Sequence, residues 1–291
     1  MMKGWLPAGG RLFIPLKESG VIDGLKRCYW HVLGRVRKWI NPPSITLSPG
    51  RWMDDVVRLA AMEGSLDRRM VLVDGGAHTG DMARQFLRHL PNLEVHAFEP
   101  NTDLHGQLEV NLSGVAGTIQ AVALGDRTGN TTIEINSSPM TSSVLPVNGL
   151  SRKYFPDATE PGSQRTIPIT RLDDWFEQSG VSHVDVLKLD LQGYERQALD
   201  GARRVLRQGV GCVVIEVNFA PFYEGCSLFG EVDEVMRSEG YQLFNLYNLC
   251  THKPVNHLGS ADAIYISQRR FARLLGQREP GEDEASMRLA A

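Results

Sequence analysis

The chain has 291 residues, of which 42% are hydrophobic and 22% charged, and its formal net charge is −3 at pH 7. This length suits one large α/β domain with or without an appendage, and the charge balance gives no support for nucleic acid as the main partner. Four separated cysteines without a Cys-x-x-Cys pair argue against a disulfide framework or a zinc site, and without a membrane-length apolar run or a signal peptide we expect a cytoplasmic protein.

The first predicted element is a basic helix over residues 21–40, where apolar residues recur at helical spacing until Asn41-Pro42-Pro43. Packing of this helix on the main domain is favoured over a peripheral membrane contact, which remains the alternative. A second helix is predicted over residues 53–62. We assign residues 1–64 to an N-terminal helical extension, 65–268 to the main domain and 269–291 to a charged, flexible tail.

From residue 70 onwards, predicted strands and helices alternate. The strands cover residues 70–74, 93–98, 118–123, 131–135, 165–169, 184–190, 212–217, 241–247 and 262–267, and the helices cover 79–90, 102–111, 172–178, 194–207 and 228–239. Residues 136–163 are rich in Ser, Pro, Gly and Asn and predict a mobile insertion with one short helix. The alternation predicts a doubly wound, mostly parallel sheet that binds its ligand at the carboxyl ends of the strands.

The loop after the strand 70–74 predicts a cofactor site. Gly75, Gly76 and Gly80 allow a tight turn into the next helix, whose N-terminus faces the same crevice. A carboxylate at Asp74 would repel a pyrophosphate but would tolerate the ammonium and sulfonium groups of S-adenosylmethionine. Glu99, at the end of the next strand, is placed to accept hydrogen bonds from ribose hydroxyls. These two acids favour S-adenosylmethionine over a dinucleotide.

Several sequence blocks in this order resemble the FkbM-type methyltransferase family. They are Asp74–Gly80, Phe98-Glu99-Pro100-Asn101, Ala123-Leu124-Gly125-Asp126, Leu172-Asp173-Asp174-Trp175, Leu187–Glu195 and Val214-Ile215-Glu216. The resemblance runs from about residue 70 to about residue 267. It implies a class I Rossmann-like fold with a seven-stranded sheet whose last strand is antiparallel. It also implies S-adenosylmethionine-dependent methylation of a hydroxyl on a sugar, in a glycolipid or surface polysaccharide, or on a natural product. One departure is Gln192, where the family commonly has Glu.

The candidate site residues follow from these blocks. To the cofactor we assign Asp74, Gly75, Gly76, Ala77, His78, Gly80, Glu99, Pro100, Ala123, Leu124, Asp126 and Asp190. To catalysis we assign Glu195, Asp190, Lys188 and Glu216, because an alcohol is a poor nucleophile and needs a base. Glu195 is the preferred base. Asp190, Glu195 and Glu216 are also oxygen ligands of the type that Mg²⁺ accepts, but no metal site is predicted.

Two other functions remain as alternatives. Gly75-x-Ala77-x-x-Gly80 also fits a loose dinucleotide fingerprint, which keeps a NAD-dependent oxidoreductase open, although Asp74 argues against it. A catalytically silent protein that keeps the fold as a binding module or scaffold is the third hypothesis. The sequence carries no signal for the identity of the acceptor or for an oligomeric state.

Overall fold

The computed structural model describes residues 52–61, 68–252 and 256–276. The predicted basic helix over residues 21–40, and with it the proposed membrane contact, lies outside the described residues. In the described ranges, no helix has the length and apolar character needed to cross a membrane.

Seven strands form the main sheet in the spatial order β3-β2-β1-β7-β8-β10-β9. They are β1 Met70–Gly75, β2 Leu93–Phe98, β3 Ala116–Gln120, β7 Val186–Leu189, β8 Cys212–Asn218, β9 Tyr241–His252 and β10 His257–Ser267. The central strands β1 and β7 are buried along their whole length, as expected for apolar runs covered on both faces. β10 pairs antiparallel with both of its neighbours, whereas β1, β2, β3, β7 and β8 are parallel. The predicted seven-stranded class I arrangement is therefore confirmed.

Nine α-helices lie in the described ranges. They are α1 Trp52–Ala61, α2 Asp81–His89, α3 His105–Asn111, α4 Gly149–Tyr154, α5 Leu172–Ser179, α6 Glu195–Asp200, α7 Arg203–Gly209, α8 Phe229–Ser238 and α9 Gln268–Leu274. The single helix predicted over residues 194–207 is wrong, because it is divided into α6 and α7. The division allows a close backbone contact: a Cβ at Gly201, between the two helices, would lie 1.9 Å from the carbonyl oxygen of Gly125.

A second, three-stranded sheet was not predicted. It consists of β4 Ala123–Leu124, β5 Gly129–Asn136 and β6 Pro161–Thr170, in the order β4-β6-β5. The continuous strand predicted over residues 118–123 is wrong, because the chain bends at residues 121–122. Its first part stays in the main sheet as β3, and its end pairs with β6. This bend places residues 123–124 beside the carboxyl ends of β1 and β2.

The insertion between β5 and β6 contains one short α-helix, α4, as predicted, and its mobility stays a prediction. The insertion is joined to the loop after β8 by two backbone hydrogen bonds, from Asn148 N to the main-chain oxygen of Phe222 and from Glu224 N to that of Pro146. Two segments far apart in sequence therefore form one wall beside the sheet.

The helix α9 lies in the segment that the sequence assigned mostly to the tail. Its Arg270 is buried and donates from Nη1 to the main-chain oxygen of Gly211, at 2.6 Å. Because this contact joins α9 to the residue before β8, we propose that the folded domain extends at least to Leu274.

Candidate functional site

A cavity of about 300 Å³ lies at the carboxyl ends of β1, β2 and β7. This volume is at the lower end of the range for small-molecule sites, about 300–1,000 Å³. Nine of the predicted site residues line it, namely Gly76, Ala77, His78, Glu99, Pro100, Ala123, Leu124, Lys188 and Asp190. The prediction of a ligand site at this edge of the sheet therefore coincides with a cavity in the structure.

The loop after β1 forms one wall of the cavity and passes close to the end of β7. Gly76 has a φ of 72°, and a Cβ there would lie 2.0 Å from the main-chain oxygen of Asp190. Gly80, with a φ of 80°, precedes the first residue of α2. Both positions require glycine because a side chain would be strained in the left-handed region. The backbone N–H groups of Gly76 and Ala77 both donate to the Phe98 oxygen, which ties the loop to β2.

Glu99 is held at the end of β2 with its carboxylate in the cavity wall. Its Oε2 accepts a hydrogen bond from His78 N at 2.8 Å, and its Oε1 accepts one from Asn101 N at 2.7 Å. Burial raises the pKa of Glu99, and the two N–H groups oppose this by favouring the carboxylate. Each oxygen keeps a further lone pair, so the carboxylate can still accept from a pair of ligand hydroxyls.

Asp74 lies behind the cavity wall rather than in it. Its side chain is completely buried and its Oδ1 is 3.2 Å from Lys188 Nζ. Lys188 Nζ also donates to the Gly76 oxygen at 3.2 Å and lies 3.6 Å from Asp190 Oδ2. Burial acts against the ammonium charge, but the attraction of Asp74 and Asp190 is greater and raises the pKa of Lys188. The predicted contact of Asp74 with a ligand is therefore replaced by an ion pair that holds Lys188 at the wall.

Asp190 and Glu216 are linked through the side chain of Gln192. Gln192 Nε2 donates to Asp190 Oδ1 at 2.8 Å and to Glu216 Oε2 at 3.1 Å. Asp190 lines the cavity, whereas Glu216 lies beyond it, half-buried and opposite Asp262 in the β8–β10 pair. Burial raises the pKa of Glu216 well above its usual value, and the neighbouring carboxylates add to this effect.

Glu195 does not face the cavity. Its side chain is buried, and its Oε1 accepts hydrogen bonds from Leu191 N at 2.7 Å and Gly193 N at 3.2 Å. Burial raises its pKa to about 7. Because the carboxyl group braces the turn before α6, the preference for Glu195 as the base is not supported by the geometry.

Three assigned cofactor residues also lie outside the cavity lining. Gly75 is inside β1, where a Cβ would lie 2.9 Å from Leu189 Cδ2, and Gly80 lies against Leu108. Asp126 is 43% exposed and pairs with Arg127 at 3.1 Å. Gly75 and Gly80 shape the loop through their backbone, and Asp126 belongs to the turn before β5.

The sequence analysis did not assign fifteen of the lining residues to the site individually. These residues are Thr79, Asp81, Met82 and Gln85 around α2, Pro139, Met140, Ser142, Ser143 and Val144 in the insertion, and Phe98, Asn101, Ile133, Leu191, Gln192 and Tyr194. The α2 residues could have been found from their position in the first turns after the glycine loop. The insertion residues carry no periodic signal, because long-range hydrogen bonds bring them to the cavity. Among the described residues, no group of three or more His, Cys, Asp and Glu could hold a metal ion.

Comparison with known proteins gives a match over most of this domain. A sequence model described as "Methyltransferase FkbM domain" matches residues 74–243. The chain is 26% identical over 164 residues to the 2-O-methyltransferase NoeI of Sinorhizobium fredii, an alignment that covers 53% of this chain and 66% of the relative. It is 29% identical over 168 residues to the hexuronic acid methyltransferase AglP of Haloferax volcanii, covering 58% of this chain and 63% of the relative. The chain thus spans less than two thirds of either curated relative.

Solved structures include similar chains at low identity. The crystal structure of Methyltransferase FkbM from Methylobacillus flagellatus KT matches with a TM-score of 0.43 and 17% identity, over 67% of this chain and 43% of that chain.

Proposed function

The chain belongs to the FkbM methyltransferase family, and on this premise we propose that it methylates a hydroxyl group of a sugar with S-adenosylmethionine as the donor. The family implies the use of this donor. The printed names of the two curated relatives, a 2-O-methyltransferase and a hexuronic acid methyltransferase, support a sugar acceptor. A hydroxyl of another natural product is the remaining acceptor class.

The observation that carries this proposal is a single cavity with Glu99 and Asp190 in its wall. Glu99, fixed by two backbone N–H groups, would accept from the ribose hydroxyls. Pro100, Ala123 and Leu124 supply an apolar surface for the adenine ring. The turn at Gly76 packs closely on the backbone of Asp190, and both residues line the cavity, so we assign this part of it to the methionine end. When bound, S-adenosylmethionine supplies an electrophilic methyl group on a sulfonium.

Asp190 is the carboxylate that we propose as the proton acceptor for the sugar hydroxyl. It lines the cavity with 39% of its side chain exposed, whereas Glu195 is buried in a turn and Glu216 lies outside the lining. Lys188, 3.6 Å from Asp190 Oδ2, keeps a positive charge next to this carboxylate. A base positioned at the acceptor contributes typically about 10²–10⁴-fold to the rate.

The dinucleotide alternative finds no support at the start of α2. Asp81 is the first residue of this helix and lines the cavity, and its Oδ2 accepts from Thr79 Oγ1 at 2.9 Å. A carboxylate at this position competes with a phosphate for the helix N-terminus.

Calorimetry and an acceptor panel test the proposal. We expect the full chain to bind S-adenosylhomocysteine and not NAD, and to transfer a radiolabelled methyl group to at least one of a panel of neutral hexosides, deoxyhexosides and hexuronic acids. Asp190→Asn should keep S-adenosylhomocysteine binding and lose methyl transfer. Binding of NAD in place of S-adenosylhomocysteine would refute the proposed function. Full methyl transfer by Asp190→Asn would refute the assignment of the base.

A further inference from the structure

The side-chain amide of Gln192, a residue of the cavity lining, makes three hydrogen bonds. The two N–H bonds of its amide point to two different carboxylates, Asp190 at 2.8 Å and Glu216 at 3.1 Å. Its Oε1 accepts from the Tyr223 hydroxyl at 2.7 Å. Both N–H donors and the oxygen of the amide therefore have a hydrogen-bond partner.

This arrangement determines which way the amide faces. If the amide were reversed, its oxygen would face an oxygen of Asp190, and this contact would contain no hydrogen when Asp190 is ionised. In the orientation present, the Tyr223 phenol donates its hydrogen to Oε1. A neutral amide is thus a side chain that can donate to both carboxylates at once without adding charge.

The backbone of Gln192 is held in an unusual conformation. Its φ is 54°, in the left-handed region that non-glycine residues rarely adopt. Glu195 Oε1 accepts from the backbone N–H groups of Leu191 and Gly193, the residues on either side of Gln192. Ser143 Oγ donates to the main-chain oxygen of Gln192 at 2.9 Å. Such strain persists only where the surrounding structure enforces it, and it is concentrated at functional sites.

We propose that Gln192 is the positioning residue of the reaction, holding the Asp190 carboxylate at the cavity wall and separating it from Glu216. This inference rests on the proposed function, since it gives Asp190 the task of accepting the proton. Gln192 acts through Asp190: its N–H fixes Oδ1, while Lys188 attracts Oδ2 from the other side. Glu195 and Tyr223 in turn hold Gln192.

Several charged or titratable groups lie around Asp190 and Gln192. They are Asp74 on β1, His78 in the loop after β1, Lys188 on β7, Glu195 on α6, Glu216 on β8, Tyr223 after β8 and Asp262 on β10. At a pH where these carboxyl groups are ionised, they outnumber the ammonium of Lys188, so a further negative charge at position 192 would meet repulsion from several directions.

The test replaces the amide and follows the pH profile of kcat/KM in the full chain. In Gln192→Met, both donors are lost. In Gln192→Glu, a carboxylate replaces the amide at nearly the same size. We expect the acid limb of the profile to move to higher pH by about one unit in Gln192→Met, and further in Gln192→Glu, because the ionised base loses its donors. Tyr223→Phe should give a smaller shift of the acid limb, since it removes the hydrogen bond to Oε1 of Gln192 but keeps both N–H donors of the amide.

The control is Gln164→Glu, because Gln164 Nε2 also donates to a carboxylate, Glu134 Oε1 at 2.9 Å, in an exposed pair on the second sheet. It should leave the profile unchanged. A readout that needs no acceptor is the melting temperature from pH 5 to pH 8. The deficit of Gln192→Glu relative to wild type should grow as the pH rises, because the added acid ionises, while that of Gln164→Glu should stay small.

The outcomes separate the two proposals. If the wild type binds no S-adenosylhomocysteine and methylates no acceptor, the proposed function fails and the positioning role falls with it. If the wild type is active but the acid limbs of Gln192→Met and Gln192→Glu coincide with that of the wild type, only the positioning role is overturned. A melting deficit of Gln192→Glu that is independent of pH overturns it as well.

Discussion

The replacement Glu195→Gln separates a structural role of this buried carboxyl from a catalytic one. Glu195 is 1% exposed, and one of its oxygens accepts both the Leu191 and Gly193 N–H groups. Glutamine has the same shape and keeps an oxygen for both bonds. We therefore expect kcat/KM for methyl transfer to remain within about threefold of wild type, whereas removal of a general base costs about 10²–10⁴-fold.

The stability of the same variant should depend on pH with a definite sign. Burial raises the pKa of Glu195 from 4.5 to about 7. An acid whose pKa is raised in the folded state stabilises the fold fully below the unfolded value, and this contribution is lost as the pH rises through the folded value. The difference of about 2.5 units corresponds to about 3 kcal/mol. Glutamine does not titrate and keeps its contribution at every pH.

Urea unfolding of both proteins at several values between pH 4.5 and pH 8 measures this effect. The free energy of unfolding of Glu195→Gln, relative to wild type, should rise by about 3 kcal/mol across this interval. Glu177→Gln is the matched control, because the Glu177 side chain is 68% exposed, and its difference should stay flat. If the difference in the free energy of unfolding between Glu195→Gln and wild type were the same at every pH, this would refute a rise in the pKa of Glu195 on burial. A hundredfold loss of methyl transfer would instead restore Glu195 as the base.

Three further predictions concern the cavity wall. Glu99→Gln should weaken the binding of S-adenosylhomocysteine by about tenfold or more in calorimetry, because an amide has one accepting oxygen where the carboxylate has two. Gly76→Ala should lower the free energy of unfolding by about 1–3 kcal/mol or more in urea, because the new Cβ would lie 2.0 Å from the Asp190 oxygen at a positive φ. Lys188→Met should cost about 3–5 kcal/mol in the same assay, because it leaves the completely buried Asp74 unpaired.

Two of these predictions have a contrasting variant. Gly106→Ala, in α3, meets no atom within 4 Å and should be neutral or stabilising. The double variant Asp74→Asn/Lys188→Met should be more stable than Lys188→Met alone, since it removes the unpaired charge. Equal stability of these two proteins would contradict the ion pair. Unchanged binding by Glu99→Gln would contradict the ribose contact, and a fully stable Gly76→Ala would contradict the close backbone approach.

Local patterns in the sequence predicted most of the sheet. β2 was predicted with its observed bounds, and β1 to within one residue, because an apolar run bounded by turn residues is a property of neighbouring positions. The glycine loop was recognisable for the same reason. The second sheet could not be predicted, since the bend at residues 121–122 is stabilised by pairing with β6, more than 40 residues later.

The sequence by itself determined the class of fold, the family and the edge of the sheet at which the cavity lies. Only the tertiary structure decided which acids reach the cavity. Asp74 is the next-to-last residue of β1 and Glu195 is the first residue of α6, yet the first is paired with Lys188 and the second with two backbone N–H groups. Asp190 lines the cavity directly after β7, and the Gln192 amide that donates to it belongs to a turn with a positive φ that is held by partners from β8, α6 and the insertion. Side-chain direction after a strand depends on such distant contacts, and residue spacing does not encode them.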